Sequence, residues 1–293
     1  MTPRRAPPVV PWLLAAPAAA LLLLFLLGPL LLLLRVSLTE SGGGSAVYRP
    51  GTWSAHAYAE LLGERFGRRV VAFTVALGLG VAALSVVLGY PLALFIHSLP
   101  RRAKMLALGA VVLPKLANVF VVLYGVNLLL GSAGPVNRTL VALGVTSEPL
   151  LLTHNLVGVL IAETYLILPY AILVLVPTFD RIDPALAAAA RGLGAGPWTA
   201  FRRVTLPLSL PGVVVAGQLC LIWALGAFVG PVLLGGPEQA TLSVLVQRYG
   251  LEYSDWPRAA ATAVLSVLTV AVCVALYAAP ARAIREGRGA GRA

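Results

Sequence analysis

The sequence predicts an all-α membrane protein with six transmembrane helices, and three observations lead to that prediction. Of its 293 residues, 59% are hydrophobic and only 11% are charged, whereas soluble domains average about 25% charged residues. Six apolar runs are long enough to cross a hydrocarbon core of about 30 Å, which takes about 20 helical residues. The basic residues are concentrated in alternate connecting segments, which is the pattern that sets membrane topology.

The six spans follow from these apolar runs in chain order. The first is rich in leucine and comes after Arg4 and Arg5. A cleavable signal peptide is the alternative for it, but the apolar core is too long and no A-x-A-like site follows promptly. The third run is interrupted at Pro114 and Lys115. The predicted spans are 10–34, 70–97, 105–131, 154–178, 210–235 and 258–280, within a single domain covering 1–293.

Charge predicts which side of the membrane each connection faces. The N-terminus, the turn after the second span, the segment 179–209 and the C-terminal tail are rich in arginine, and their acids are Asp180, Asp183 and Glu286. The positive-inside rule therefore predicts that both termini and the segment 179–209 are cytoplasmic. The net charge of +11 is accounted for by topology and by contact with membrane lipid, so we expect no nucleic-acid partner.

The usual motifs of enzymes and metal sites are absent from the sequence. Its lysines are Lys104 and Lys115, and neither stands in the G-x-x-x-x-G-K-[ST] pattern, so no Walker A loop is present. H-E-x-x-H and G-x-S-x-G are also missing. The "GLGVAA" stretch at 78–83 lies inside a span, which favours close helix packing over dinucleotide binding. We therefore expect no catalytic residue, no metal and no cofactor.

Polar residues within the spans are candidates for a substrate path. Glu163 lies in the middle of the fourth span, and an ionisable group inside a membrane normally faces a cavity or a partner. A purely structural role for Glu163 is an equal alternative. Lys115 follows the helix-breaking Pro114, and we expect it either to bond a backbone carbonyl or to reach the membrane interface. The candidate path residues are Glu163, Tyr124, Asn127 and Trp223.

The segment between the fourth and fifth spans is predicted to be structured. Asp183 followed by Pro184 is typical of a helix N-cap with proline at the first helical position. The alanine run that follows favours a helix, and Gly192 and Gly194 are expected to end it in a left-handed turn.

A second short helix is predicted to start at Gly196 and Pro197 and to end at Pro207. Trp198 and Phe201 are three residues apart and share one face of it. A capped, basic and amphipathic element between two spans favours docking of a separate protein.

This segment resembles the EAA loop of ABC-importer permeases, in which E-A-A, a glycine and I-x-L-P stand at fixed spacing. The pattern falls on Ala188-Ala189-Ala190, on Gly194 and on Val204-x-Leu206-Pro207. The pieces "LGYPLALFI", "LILPYAILVLVPTFDRIDPAL" and "GAFVGPVLLGGP" are also similar to the family. Together they cover most of the chain from the second span onward, and they most resemble the spermidine/putrescine-type branch, which includes iron(III) and phosphonate relatives.

The resemblance implies the type I importer permease fold in the bacterial inner membrane. It implies that 179–209 (the coupling segment) fits a cleft on a dimer of separate ATPase subunits. It also implies a second, non-identical permease subunit and an extracytoplasmic solute-binding protein that delivers a small polar solute. The residues implied in ATPase coupling are Ala188, Ala189, Ala190, Arg191, Gly194, Trp198, Phe201, Arg202, Arg203, Leu206 and Pro207.

Two departures from the family pattern remove acidic residues. Ala188 replaces the glutamate of E-A-A, so Arg191, Arg202 and Arg203 are expected to supply the polar docking contacts instead. Ala227 replaces the acid of the family's G-E-F sequence, which weakens the expectation of a polyamine substrate, because polyamines are cations. The alternative function is a self-sufficient secondary transporter or channel, which would show paired intramembrane charges or an inverted repeat.

Overall fold

The computed structural model describes residues 9–42 and 47–289, and it describes side chains for 16–42 and 47–278. In that part of the chain every regular element is helical, which confirms the all-α prediction. Six of the described helical segments are long and apolar enough to cross a membrane, as predicted. They are Ala16–Ser37, Arg65–Ser98, Val119–Ala142, Leu156–Asp180, Pro197–Leu225 and Trp256–Ala278.

The helices are named α1 to α13 in chain order. They are α1 (Val9–Ser37), α2 (His56–Gly63), α3 (Arg65–Ser98), α4 (Arg101–Val112), α5 (Val119–Leu130), α6 (Pro135–Ala142), α7 (Leu156–Asp180), α8 (Pro184–Gly192), α9 (Pro197–Ala200), α10 (Leu206–Leu225), α11 (Val229–Leu234), α12 (Leu242–Gln247) and α13 (Trp256–Gly289). Short 3₁₀ turns occur at Leu113–Leu116 and Pro237–Gln239, and π-helical turns at Phe201–Thr205 and Arg248–Glu252.

Two spans are divided differently from their predicted bounds. In the third, the helix stops at the 3₁₀ turn Leu113–Leu116, and α5 begins after Asn118, whose side chain accepts a hydrogen bond from the backbone N–H of Phe120 at 2.9 Å. The predicted interruption is therefore present. In the fifth, α10 ends at Leu225 and the separate helix α11 follows, because the backbone leaves the helical conformation at Phe228.

The described residues form two compact units. The larger contains residues 68–244 and those from 266 onward, and the smaller contains the residues up to 67 and 245–265.

The main core of the larger unit lies where α3, α7 and α10 pack together. Val81, Leu175 and Leu221 are among the fully buried side chains there. Small residues allow the helices to approach closely, which is how helices in membranes commonly associate. A Cβ on Gly78 would come within 2.7 Å of Leu225. That contact confirms that the "GLGVAA" stretch serves helix packing.

A second cluster in the larger unit joins α5, α7 and α11. It is built on Leu123 and Leu130 of α5, Ala162 of α7 and Leu234 of α11. Because α11 lies against both α5 and α7, the polar residue Glu163, next to Ala162, is enclosed between these helices.

The smaller unit ties the end of α1 to α2. Tyr58 donates a hydrogen bond from its hydroxyl to Ser37 Oγ at 2.7 Å. Arg258 bridges Glu60 at 2.5 Å and Asp255 at 3.3 Å. The leucines of α1 from Leu21 to Leu32 are exposed in this chain. They present an apolar surface of the kind that lipid covers.

Candidate functional site

The first half of the coupling segment has the local structure that the sequence predicts. The Asp183 carboxylate accepts a hydrogen bond from the backbone N–H of Ala185 at 2.9 Å, with Pro184 at the first helical position of α8. After α8, Gly194 has a φ of +88°. The N–H of Ala195 reaches back to the carbonyl of Ala190 at 3.1 Å. Such a left-handed C-terminal turn fixes the exit direction of the chain.

The second half differs from the prediction, because Pro207 does not end a helix. Instead α9 passes through the π turn Phe201–Thr205 into α10, and the N–H of Leu206 donates to the carbonyl of Phe201. In an α-helix Pro207 would lack its N–H and crowd the carbonyl four residues earlier. A π turn directly before the proline changes which backbone N–H and carbonyl groups are hydrogen-bonded, so the helix continues in the same direction.

The exposed face of the coupling segment is apolar at its tip. Leu193 is 90% exposed and Trp198 is 70% exposed. The Trp198 ring stacks on Phe201 with a centroid distance of 5.3 Å. Phe201 in turn makes an edge contact with Tyr90 of α3 at 6.1 Å. The exposed indole is thus connected through aromatic rings to the body of the larger unit.

Further contacts fix the base of this surface. Tyr90 contacts Phe179 edge-on at 5.2 Å and shares a hydrogen bond of 2.8 Å with Ser209. Beside them Asp180 Oδ1 lies 2.7 Å from His97 Nδ1 and 2.5 Å from Lys104 Nζ. Helices α3, α4, α7 and α10 are therefore joined at the end that carries the coupling segment.

The structure places every predicted coupling residue at the surface or partly at the surface. The partly exposed ones are Ala190, Phe201, Leu206 and Pro207, and the exposed ones are Ala188, Ala189, Arg191, Gly194, Trp198, Arg202 and Arg203. None of the ion pairs in the described part of the chain involves one of these three arginines.

A cavity of about 340 Å³ lies between α5, α7, α10 and α11. Glu163 lines it and is only 3% exposed. Its Oε1 accepts a hydrogen bond from the backbone N–H of Gly230 in α11 at 3.2 Å. A Cβ on Gly230 would overlap the carboxylate, so the missing side chain makes room for it.

Lys115 lines the same cavity from the 3₁₀ turn between α4 and α5. Its Nζ donates to the carbonyl oxygen of Leu166, which confirms the expectation of a backbone carbonyl partner. The ammonium also lies 4.4 Å from the centroid of the Tyr170 ring. That ring stacks on Trp223 with a centroid distance of 4.9 Å and an interplanar angle of 9°.

The predicted path residues are divided between two cavities. Glu163 and Trp223 share the one just described, which we call the Lys115 cavity. Tyr124 and Asn127 line a separate cavity of about 810 Å³ together with Arg138. The other walls of this cavity come from α6 and from the segment 150–155. The structure therefore does not bring the four candidates together.

The sequence prediction missed Tyr170 and left Lys115 out of the path. Helical periodicity holds a signal for Tyr170, because Glu163, Leu166 and Tyr170 stand three and four residues apart and share a face of α7. The partner of that face, Trp223 of α10, depends on helix register and has no such signal. Across the described residues no group of three or more His, Cys, Asp or Glu side chains is placed to hold a metal.

Comparison with known proteins identifies the family. Residues 85–286 match the family described as "Binding-protein-dependent transport system inner membrane component". The chain belongs to this family. It is a multi-pass inner-membrane permease of a binding-protein-dependent transport system, as the resemblance in the sequence implied.

Named relatives place this permease among several transport systems. It is 31% identical to the spermidine/putrescine transport system permease protein PotB of Salmonella typhimurium strain SL1344 over 198 residues, 67% of this chain and 69% of the relative. It is 32% identical to the molybdenum transport system permease protein ModB of Mycobacterium bovis over 197 residues, 66% and 71% of the two chains.

A solved structure confirms the permease fold. The permease is similar to a chain in the crystal structure of a bacterial ABC transporter involved in the import of the acidic polysaccharide alginate. The TM-score is 0.72 at 21% identity, with 93% of this chain and 96% of that chain covered.

Proposed function

We propose that this permease forms half of the translocation path of an ABC importer and is driven by separate ATPase subunits that dock on its coupling segment. The observation that carries the proposal is the exposed Trp198 and Leu193 on an element fixed at both ends. The left-handed turn at Gly194 fixes the direction of that element, and the aromatic contact from Phe201 to Tyr90 holds it to α3. A rigid projection can transmit a displacement of its partner to the helices behind it.

The coupling segment then lies in the cytoplasm, where ATP is available. This agrees with the positive-inside rule, which favours a cytoplasmic location for both termini as well. The exposed arginines Arg191, Arg202 and Arg203 lack acidic partners within the described residues and are suited to acidic groups at the rim of an ATPase cleft.

The proposed assembly contains a second, non-identical permease subunit, a dimer of ATPases and a solute-binding protein outside the membrane. The family name supports the binding protein. A relative of the fold at 22% identity and a TM-score of 0.70 was solved in complex with an alginate pentasaccharide-bound periplasmic protein.

We propose a small polar solute as substrate, with a polyamine-like cation as the first candidate. The named PotB relative acts in spermidine/putrescine transport, which supports this choice. The absence of an acid at Ala227 weakens the case for a polyamine. An iron(III)-like or phosphonate-like solute is therefore the second candidate. The buried carboxylate of Glu163 in the Lys115 cavity favours a cationic solute over a phosphonate-like anion.

One observation favours the alternative of a self-sufficient transporter. Lys115 and Glu163 line a single cavity and interact electrostatically, and paired charges inside the membrane are expected of such proteins. ATP dependence separates the two functions, because a secondary transporter draws on an ion gradient.

The test is co-purification followed by reconstitution. The tagged permease is expressed together with the products of its neighbouring genes, and we expect an ATPase and a second permease to co-purify. In proteoliposomes, uptake of labelled putrescine should need internal ATP and the binding protein. Uptake that follows an imposed ion gradient without ATP would replace the proposal by the alternative.

A further inference from the structure

The ammonium group of Lys115 occupies a place built to hold a cation. It donates to the carbonyl oxygen of Leu166 and lies over the face of Tyr170. Trp223 backs that face by stacking on it. Carbonyl oxygens accept hydrogen bonds from ammonium groups, and aromatic faces attract them through the ring quadrupole.

We propose that this place is a binding site for a primary alkylammonium group of the transported solute, and that Lys115 occupies it in the solute-free protein. The inference rests on the proposed import function and specifies the chemistry of its solute. An incoming ammonium would take the carbonyl of Leu166 and the face of Tyr170, and the Lys115 side chain would leave them.

The charge distribution in the cavity favours a cation over an anion. The groups around the ammonium are electron-rich, and Glu163 adds a carboxylate to the same cavity. Among the residues that the structure describes, Lys115 is the one basic residue that lines this cavity. An anion would have to compete with the Leu166 carbonyl for the protons of Lys115 and would lie near the charge of Glu163.

The position of Lys115 in the chain suits a displaceable occupant. It stands on a four-residue 3₁₀ turn between two helices rather than within a long helix. The flanking Leu113 and Leu116 are exposed in this chain, so the turn has few packing contacts of its own. A lysine side chain also has a flexible four-carbon stem, which suits a change of position from the same turn.

Occupation by Lys115 has a consequence for affinity. A solute must displace an ammonium that is always present, so binding is weaker than the site alone would allow. Weaker binding shortens the time that the solute stays at this point of the path.

The test is putrescine binding to the full-length permease, purified in lipid nanodiscs with the subunits that co-purify and without ATP. Isothermal titration compares the wild type with Lys115→Ala and with Lys104→Ala, which removes the only other lysine. We expect Lys115→Ala to bind putrescine about tenfold more tightly, the effect of about one desolvated cation–π contact. Lys104→Ala should match the wild type, and Lys115→Arg should bind no more tightly than the wild type.

Two further variants separate a binding site from a structural role. Lys115→Met keeps the length of the side chain and removes the charge, so it should also bind putrescine more tightly than the wild type. It takes the place of Lys115→Ala in the test if that variant fails to fold. In the double variant Lys115→Ala/Glu163→Gln, the increase in putrescine affinity over the wild type should be several-fold smaller. Gel filtration and the Tm of each variant establish that it is folded.

The proposal is overturned if neither folded Lys115→Ala nor Lys115→Met binds putrescine more tightly than Lys104→Ala. It is also overturned if inorganic phosphate binds the wild type and this binding is lost in Lys115→Ala, because Lys115 would then hold an anion. Binding is measured without ATP, so a permease that binds putrescine but shows no ATP-driven uptake would fail the proposed function and not this inference.

Discussion

The coupling segment and the Lys115 cavity are both interruptions of the helical bundle next to α7 and α10, but they are built in opposite ways. The coupling segment is held by local contacts, such as the Asp183 cap and the turn at Gly194, and its arginines have no acidic partner in the described chain. In the Lys115 cavity, Glu163 bonds Gly230, 67 residues away, and Lys115 bonds Leu166, 51 residues away. One region leaves its polar groups exposed at the surface, and the other satisfies them with contacts inside the protein.

This difference predicts which property a substitution in each region should change. A change in the coupling segment should impair association or coupling and leave the fold intact. A change in the Lys115 cavity should alter stability or solute binding and leave ATPase docking intact. Four predictions test this contrast, and they are ordered from the largest expected effect to the smallest.

Replacing Trp198 by glutamate should abolish co-purification of the ATPase. Loss of an exposed aromatic anchor that becomes buried at an interface costs about 2–4 kcal/mol of binding. The matched control is Trp53→Glu, because Trp53 is equally exposed at 71% but lies outside the coupling segment. Retained ATPase in Trp198→Glu, measured by pull-down, would rule out docking through this face.

Replacing Gly230 by alanine should destabilise the permease by about 1–3 kcal/mol, as other overpacking changes do. The new Cβ would overlap the Glu163 carboxylate and displace it from its backbone partner. Gly226→Ala is the control in the same "GAFVG" stretch, because its Cβ would meet only an ordinary contact of 3.6 Å. Equal Tm values for the two variants would contradict the close packing around Glu163.

Replacing Gly194 by valine should strain the turn after α8 by about 1–2 kcal/mol, because a φ of +88° disfavours a residue with a Cβ. Nothing lies within 4 Å of that Cβ, so steric overlap is not the cause. We expect normal membrane insertion, a lower ratio of solute transported to ATP hydrolysed, and no such change for Gly192→Val. Wild-type coupling in Gly194→Val would show that the direction of the turn is unimportant.

Replacing Glu163 by glutamine should have the smallest effect on the fold, because the amide oxygen can still accept from Gly230. Loss of the charge should weaken uptake of a cationic solute by about 1 kcal/mol, or roughly fivefold in apparent affinity. Transport kinetics measure this, and co-purification of the ATPase should be unchanged. An effect on folding yield alone would assign Glu163 a structural role.

The same contrast explains what the sequence could predict. Local chemistry predicted the Asp183 cap, the left-handed Gly194 and the break at Pro114, because each depends on neighbours along the chain. Pro207 was expected to end a helix, and only the π turn before it explains why the helix continues.

The cavity needed three-dimensional information. Trp223 and Tyr170 come from different helices, and their stacking depends on the register of α10 against α7. Tyr124 and Asn127 were grouped with Glu163 because all are polar residues in apolar runs, a criterion that says nothing about which face of α5 they occupy. The absence of a glutamate at Ala188 was visible in the sequence, and its effect on docking stays a prediction.

The π turn at Phe201–Thr205 also sets the direction in which the coupling surface points. An α-helix advances about 100° per residue, so one residue more or less between Trp198 and α10 rotates the indole by that angle about the helix axis. In the proposed assembly, deletion of a single residue would therefore change the orientation of the ATPase relative to the translocation path while keeping every docking side chain. The direction in which the coupling surface points depends on rotation about the helix axis as much as on the chemistry of its side chains.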